Sequence, residues 1–126
     1  MLTLQEYKQS KDAKGLVQKM FEARQVAHNC HLNSKSFSEH KALNSFYDDI
    51  LDLADQFVET YQGQYGLMGE FELNVQKVGD AVGYLEDCAK LFSVGRDSLK
   101  DSHLKNIMEE VISLTYRTIY KLKFLK

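Results

Sequence analysis

The chain has no proline and no tryptophan, and only two cysteines and seven glycines in 126 residues. Proline removes a helix hydrogen bond and clashes with the turn before it, so its absence permits long uninterrupted helices. Cys30 and Cys88 stand alone without a CxxC spacing, which argues against a disulfide framework or a thiolate zinc site. No apolar run approaches the roughly 20 residues that span a bilayer. The opening stretch MLTLQEYKQSKDAKG lacks the apolar core of a secretory signal. An excess of one charge is missing too. The formal net charge of −2 gives no general pull toward nucleic acid or an anionic membrane. The expectation is a cytoplasmic protein with no membrane partner, folded as one domain over residues 1–126.

What is present is helical periodicity, four times over. Leu16, Val17, Met20, Ala23, Ala27 and His31 recur at helical spacing and predict a helix over about Lys11 to Leu32. His31 falls in the middle of that apolar stripe and His28 on its flank. A second helix is expected from about Phe37 to Tyr61, with Ser36 or Ser38 as cap and Leu43, Phe46, Ile50, Ala54, Phe57 and Tyr61 facing the core. Val78, Val82, Leu85, Ala89 and Phe92 predict a third over about Asn74 to Leu99, although Gly79, Gly83 and Gly95 weaken it. A fourth runs from about Ser102 to Phe124, with Asp101 or Ser102 as cap. No strand alternation competes. The expected fold class is all-α, a four-helix bundle.

The connections restrict the topology. The first and second helices are joined by a few residues around NSKS, the third and fourth by a few around LKDS, so both pairs should be antiparallel hairpins. The middle connection, about a dozen residues from Gln62 to Leu73, can reach about 40 Å when extended, the length of a 25-residue helix. Short, long, short is the ferritin-like pattern, with a long crossover between helices two and three. The alternative is an up-down bundle with a slack middle loop.

Three of the four histidines, His28, His31 and His40, precede the densest acidic segment, Asp48, Asp49, Asp52, Asp55 and Glu59. On the second helix, Asp48, Asp52, Asp55 and Glu59 follow at steps of three and four, a stripe that repels itself unless a cation compensates. Imidazole and carboxylate together can make a metal site. The bland reading is a core histidine at His31 and a solvated acidic face.

The spacing resembles the ferroxidase motif of the Dps family of mini-ferritins. His31, Leu32 and Asn33 match that family's His-Trp-Asn element at the end of the first helix. His40 matches its second histidine. Asp55 follows fifteen residues later and Glu59 four after that, as in the family. The closing stretch DSHLKNIMEEVISLTYRTIYKLKFL is similar to the family's last helix, and the short chain looks like the small Dps-like proteins carried by phages. The resemblance implies an iron-oxidising activity, with Fe as the metal and His31, His40, Asp55 and Glu59 as its ligands. It implies oxidation of Fe(II) by peroxide or oxygen, followed by iron storage. The two histidines would come from one subunit and the two acids from its two-fold partner, so a homo-oligomer is implied, a dimer at least and a hollow dodecamer at most. Leu32 stands where the family has tryptophan. Asn44 stands where it usually has an acid, which implies one tightly held iron and at most one weakly held.

DNA, which the family's known members hook with basic tails, is not an expected partner. Lys8, Lys11 and Lys14 at one end are diluted by Glu6 and Asp12, and Lys121, Lys123 and Lys126 at the other form no run. The alternative function is a catalytically silent ferritin-like scaffold or interaction module.

Overall fold

The computed structural model of the chain describes residues 4–126, and of residues 5–10 the backbone alone. The side chains of Glu6 and Lys8, which entered the charge count above, lie outside the described residues. The described residues form four helices and no strand: α1 Leu4–Leu32, α2 Phe37–Tyr65, α3 Ala81–Ser98 and α4 Ser102–Phe124.

Local chemistry sets most of the ends. Ser36 caps α2 in extended geometry, its side chain accepting from the backbone N–H of Glu39 at 3.2 Å. Gly66 ends α2 with φ +105°, a conformation glycine adopts without a Cβ penalty, and its N–H donates to the Gln62 carbonyl at 2.9 Å. Asp80 caps α3 by accepting from Gly83 N–H at 3.1 Å. Asp101 precedes α4 without capping it. Its carboxylate instead accepts from Gln64 Nε2 at 3.3 Å and from the Tyr65 hydroxyl, which pins the end of α2 to the start of α4.

Each helix turns its apolar stripe inward. Met20, Leu43, Phe46, Phe57, Phe92 and Met108 are fully buried and fill the centre. The two buried threonines on α4 are satisfied locally: Thr115 and Thr118 donate to the carbonyls four residues back, at 2.8 and 2.9 Å. Among the described residues α1 packs on α2 and α3, and α4 packs on α2 and α3. The backbones of the diagonal pairs α1/α4 and α2/α3 do not come close among the described residues.

The segment between α2 and α3, residues 66–80, lies against α1. The Phe71 ring meets Phe21 edge-on at 5.4 Å. Gln18 Nε2 donates to the Glu72 carbonyl at 3.1 Å, the Asn74 N–H donates to the Glu22 carboxylate at 2.8 Å, and Cys30 Sγ donates to the Val78 carbonyl at 3.6 Å. Gln18 to Cys30 is twelve residues of helix, roughly 18 Å. The segment therefore advances along α1 as it advances in sequence.

Three boundaries differ from the sequence expectation: α2 runs on to Tyr65 rather than ending near Tyr61, so the middle connection is residues 66–80 rather than Gln62 to Leu73, and two helix starts move. Helix α1 begins at Leu4 rather than near Lys11. The extra residues, Leu-Gln-Glu-Tyr-Lys-Gln-Ser, carry good helix formers but no apolar stripe, so periodicity misses them. Helix α3 begins at Ala81 rather than near Asn74. Val75 and Val78 continue the α3 spacing backwards, but the chain before Asp80 is held extended by its bonds to α1.

Candidate functional site

The turn between α1 and α2 is tied tightly. Asn33 N–H donates to the carbonyls of Asn29 and Cys30, both at 3.2 Å, and Ser34 donates to the His31 carbonyl through N–H at 3.3 Å and Oγ at 2.8 Å. The turn folds α2 back on α1 so that His31 and His40 meet. Their rings stack with centroids 3.6 Å apart and planes 25° from parallel.

Each histidine then bonds to the other's main chain. His31 Nδ1 lies 2.7 Å from the His40 carbonyl oxygen, and His40 Nδ1 lies 3.2 Å from the His31 carbonyl oxygen. A carbonyl oxygen only accepts, so both Nδ1 atoms carry the proton. In the neutral rings this leaves both Nε2 atoms as lone-pair donors to a metal, with each ring oriented by a carbonyl behind it. His31 is buried, at 7% exposure, and His40 is exposed.

Around this pair lies a shell of rings and polar groups. His28 stacks on Tyr47, centroids 4.3 Å apart, and Tyr47 meets His31 edge-on at 5.3 Å. The guanidinium of Arg24 sits over the Tyr47 ring, 5.4 Å from its centroid, with its Nε buried and unpartnered among the described residues. The Tyr47 hydroxyl donates to Asn44 Oδ1 at 2.6 Å, and Asn44 Nδ2 donates to the Asp48 carboxylate at 3.3 Å. Asn44 therefore serves as a bridge that fixes Tyr47.

Asp55 and Glu59 lie elsewhere. Both are exposed on α2, and the fifteen residues between His40 and Asp55 correspond to roughly 22 Å along the helix. Among the described residues, no group of three His, Cys, Asp or Glu side chains within one chain is arranged to hold a metal ion. Asp52 lines a separate groove between α2 and α4 with Asp49, Gln56 and Glu110. His103 is exposed and bonds Gln64 Oε1 through Nε2 at 2.8 Å. No described helix is long and apolar enough to cross a membrane.

The family model whose description reads "Family of unknown function (DUF5856)" matches residues 31–122, about three-quarters of the chain. The chain belongs to this family. No curated protein and no solved structure matches it. The DUF5856 match begins at His31 and takes in His40, Asp55 and Glu59 as well, while most of α1 lies before it.

Sequence reasoning missed Arg24 and Tyr47 as members of the histidine cluster. The signal was present: Arg24 stands four residues before His28, and Tyr47 seven after His40, so each shares a helix face with a histidine. What was lacking was the pairing of the two faces, which only the turn supplies.

Proposed function

We propose that this protein is a ferritin-like, Dps-like bundle that oxidises Fe(II) between two subunits. His31 and His40 of one chain would act with Asp55 and Glu59 of a two-fold partner. The observation that carries the reading is the reciprocal Nδ1–carbonyl bonding of His31 and His40. It brings together two histidines nine residues apart and leaves both Nε2 atoms for a metal.

Three further features support it. The arrangement of neighbours, with α2 and α3 on a diagonal and residues 66–80 running along α1, suits a long crossover between parallel second and third helices. Leu32 and Phe37 beside the histidines are 68% and 76% exposed, which suits a contact surface on the flank of the site. The acidic face of α2 lies too far from the histidines within one chain, and a two-fold axis would bring two such pairs together at once.

In this reading iron is the substrate. The histidines supply neutral nitrogen ligands, and the carboxylates supply the negative charge that favours Fe(III) over Fe(II). Two Fe(II) ions give one electron each to a peroxide, which takes two protons and leaves as two waters. Stacked rings hold their lone pairs in nearly parallel planes, so one ion shared by both Nε2 atoms would tilt the rings apart. Loss of the 3.6 Å stack on loading is part of the expectation.

The test is anaerobic Fe(II) loading followed by peroxide, on protein whose mass is measured in solution. The parent should run as a dimer or larger and form Fe(III) well above the buffer rate. Asp55→Asn and Glu59→Gln, both on an exposed face, should lose that rate while keeping the parent's unfolding midpoint. His31→Ala should lose it too. A strictly monomeric parent, a parent no faster than buffer, or three variants as fast as the parent would leave the silent scaffold as the function.

A further inference from the structure

A cavity of about 520 Å³ opens between the last turns of α1, the first turn of α2 and the end of the connection before α3. That volume is in the range of small-molecule sites, roughly 300–1,000 Å³. Val26, Cys30 and Val78 give it an apolar wall. Glu39 and Lys77 bring one negative and one positive charge to the same lining.

Among the described residues neither charge has a hydrogen-bond or ion-pair partner. Ser36 and Glu39 stand at the spacing of a capping box, in which the glutamate returns to the N-cap N–H. Only the first half forms: the Ser36 side chain accepts from Glu39 N–H, and the carboxylate makes no bond back. The carboxylate is near enough to Cys30 to help burial raise the thiol above its ordinary range. Lys77 forms no ion pair or hydrogen bond within the described residues, and the two charges do not pair with each other. Asn33, also on the lining, spends its Nδ2 on the Asn29 carbonyl at 2.8 Å and keeps Oδ1 as an acceptor.

An unpaired acid and an unpaired base on one half-enclosed cavity suit a ligand that carries both charges. Each would gain a charge-assisted hydrogen bond that the chain does not provide. We infer that this cavity binds a free amino acid with an apolar side chain. The ammonium goes to Glu39 and Asn33 Oδ1, the carboxylate to Lys77, and the side chain onto Val26 and Val78. The Cys30 side chain forms part of the wall and takes no covalent role.

The probe is L-leucine, titrated into the isotope-labelled full chain and followed by backbone amide shifts. Saturating changes should be confined to residues 26–33, 39 and 76–81, with a midpoint on the order of 1 mM. Isoamylamine, which lacks the carboxylate, and 4-methylpentanoate, which lacks the ammonium, should each bind at least about tenfold more weakly. Glu39→Gln keeps the backbone donor to Ser36; it should weaken leucine and leave 4-methylpentanoate unchanged. Lys77→Met should weaken leucine and leave isoamylamine unchanged. The inference is overturned by no saturation up to about 50 mM leucine. It is equally overturned by analogues that bind as tightly as leucine, or by variants that bind leucine as the parent does. None of these readouts depends on iron.

Discussion

At the scale of single residues, the chain uses burial to silence chemistry in one place and hydrogen bonding to prepare it in another. Burial raises the Cys88 thiol above its ordinary range, against an opposing pull from Lys19. Burial likewise holds the Tyr84 hydroxyl well above the usual tyrosine range, with Cys88 adding to the effect. Both groups bind their proton more tightly in the folded state than in the unfolded one. The stability linked to them is therefore fully present below the ordinary thiol range, near about 8.5, and is lost as pH climbs through the raised values. The urea midpoint should fall between about pH 8 and about pH 10.5, and should fall less in Cys88→Ala. An equal fall in both proteins would remove Cys88 from the account. The histidine pair works by the opposite device. Carbonyls behind His31 and His40 accept hydrogen bonds from Nδ1–H and leave the Nε2 atoms unoccupied by the described residues.

At the scale of the element, α3 shows why a helix tolerates a poor helix former. Gly95 costs α3 about 1 kcal/mol of propensity relative to alanine. A Cβ built there would lie 2.1 Å from the Leu16 side chain of α1. The glycine is a notch that lets α1 and α3 approach. Gly95→Ala should therefore not gain its propensity. Displacing a Leu16 side chain that is only 7% exposed should cost about 1–3 kcal/mol and leave the variant less stable overall. Leu16→Ala should cost less in the Gly95→Ala background than in the parent, since the same contact is then being relieved. Chemical unfolding of the four proteins measures that coupling, and additive losses would show that the notch does not matter.

At the scale of the whole molecule, the connection between α2 and α3 does the work of a fifth element. Residues 66–80 bond to α1 at Gln18, Glu22 and Cys30 in order. Those bonds place the start of α3 near the end of α1, far from the end of α2, which is pinned to Asp101. Cutting the segment to five residues leaves a reach of about 17 Å, less than the roughly 18 Å it covers between Gln18 and Cys30 alone. Such a variant should lose cooperative unfolding or rearrange its helices. A shortened chain with the parent's circular dichroism and unfolding midpoint would show that the segment is slack.

The sequence by itself determined the four apolar stripes, hence the all-helical bundle and most of its core. Helix α4 has the bounds its stripe predicts, and Ser36 caps α2 as its residue type suggests. The burial of His31 was also legible, because a residue in mid-stripe must face the core. These features follow from local spacing, which a helix converts directly into a face. The start of α3 and the notch at Gly95 depended on what lies across from them in space. So did the pairing of His31 with His40, and the joining of Arg24 and Tyr47 to that pair. Each is a contact between elements, set by how a turn and a connection bring two faces into register. A one-dimensional pattern holds each face but not the register between them, and only the tertiary structure decided that.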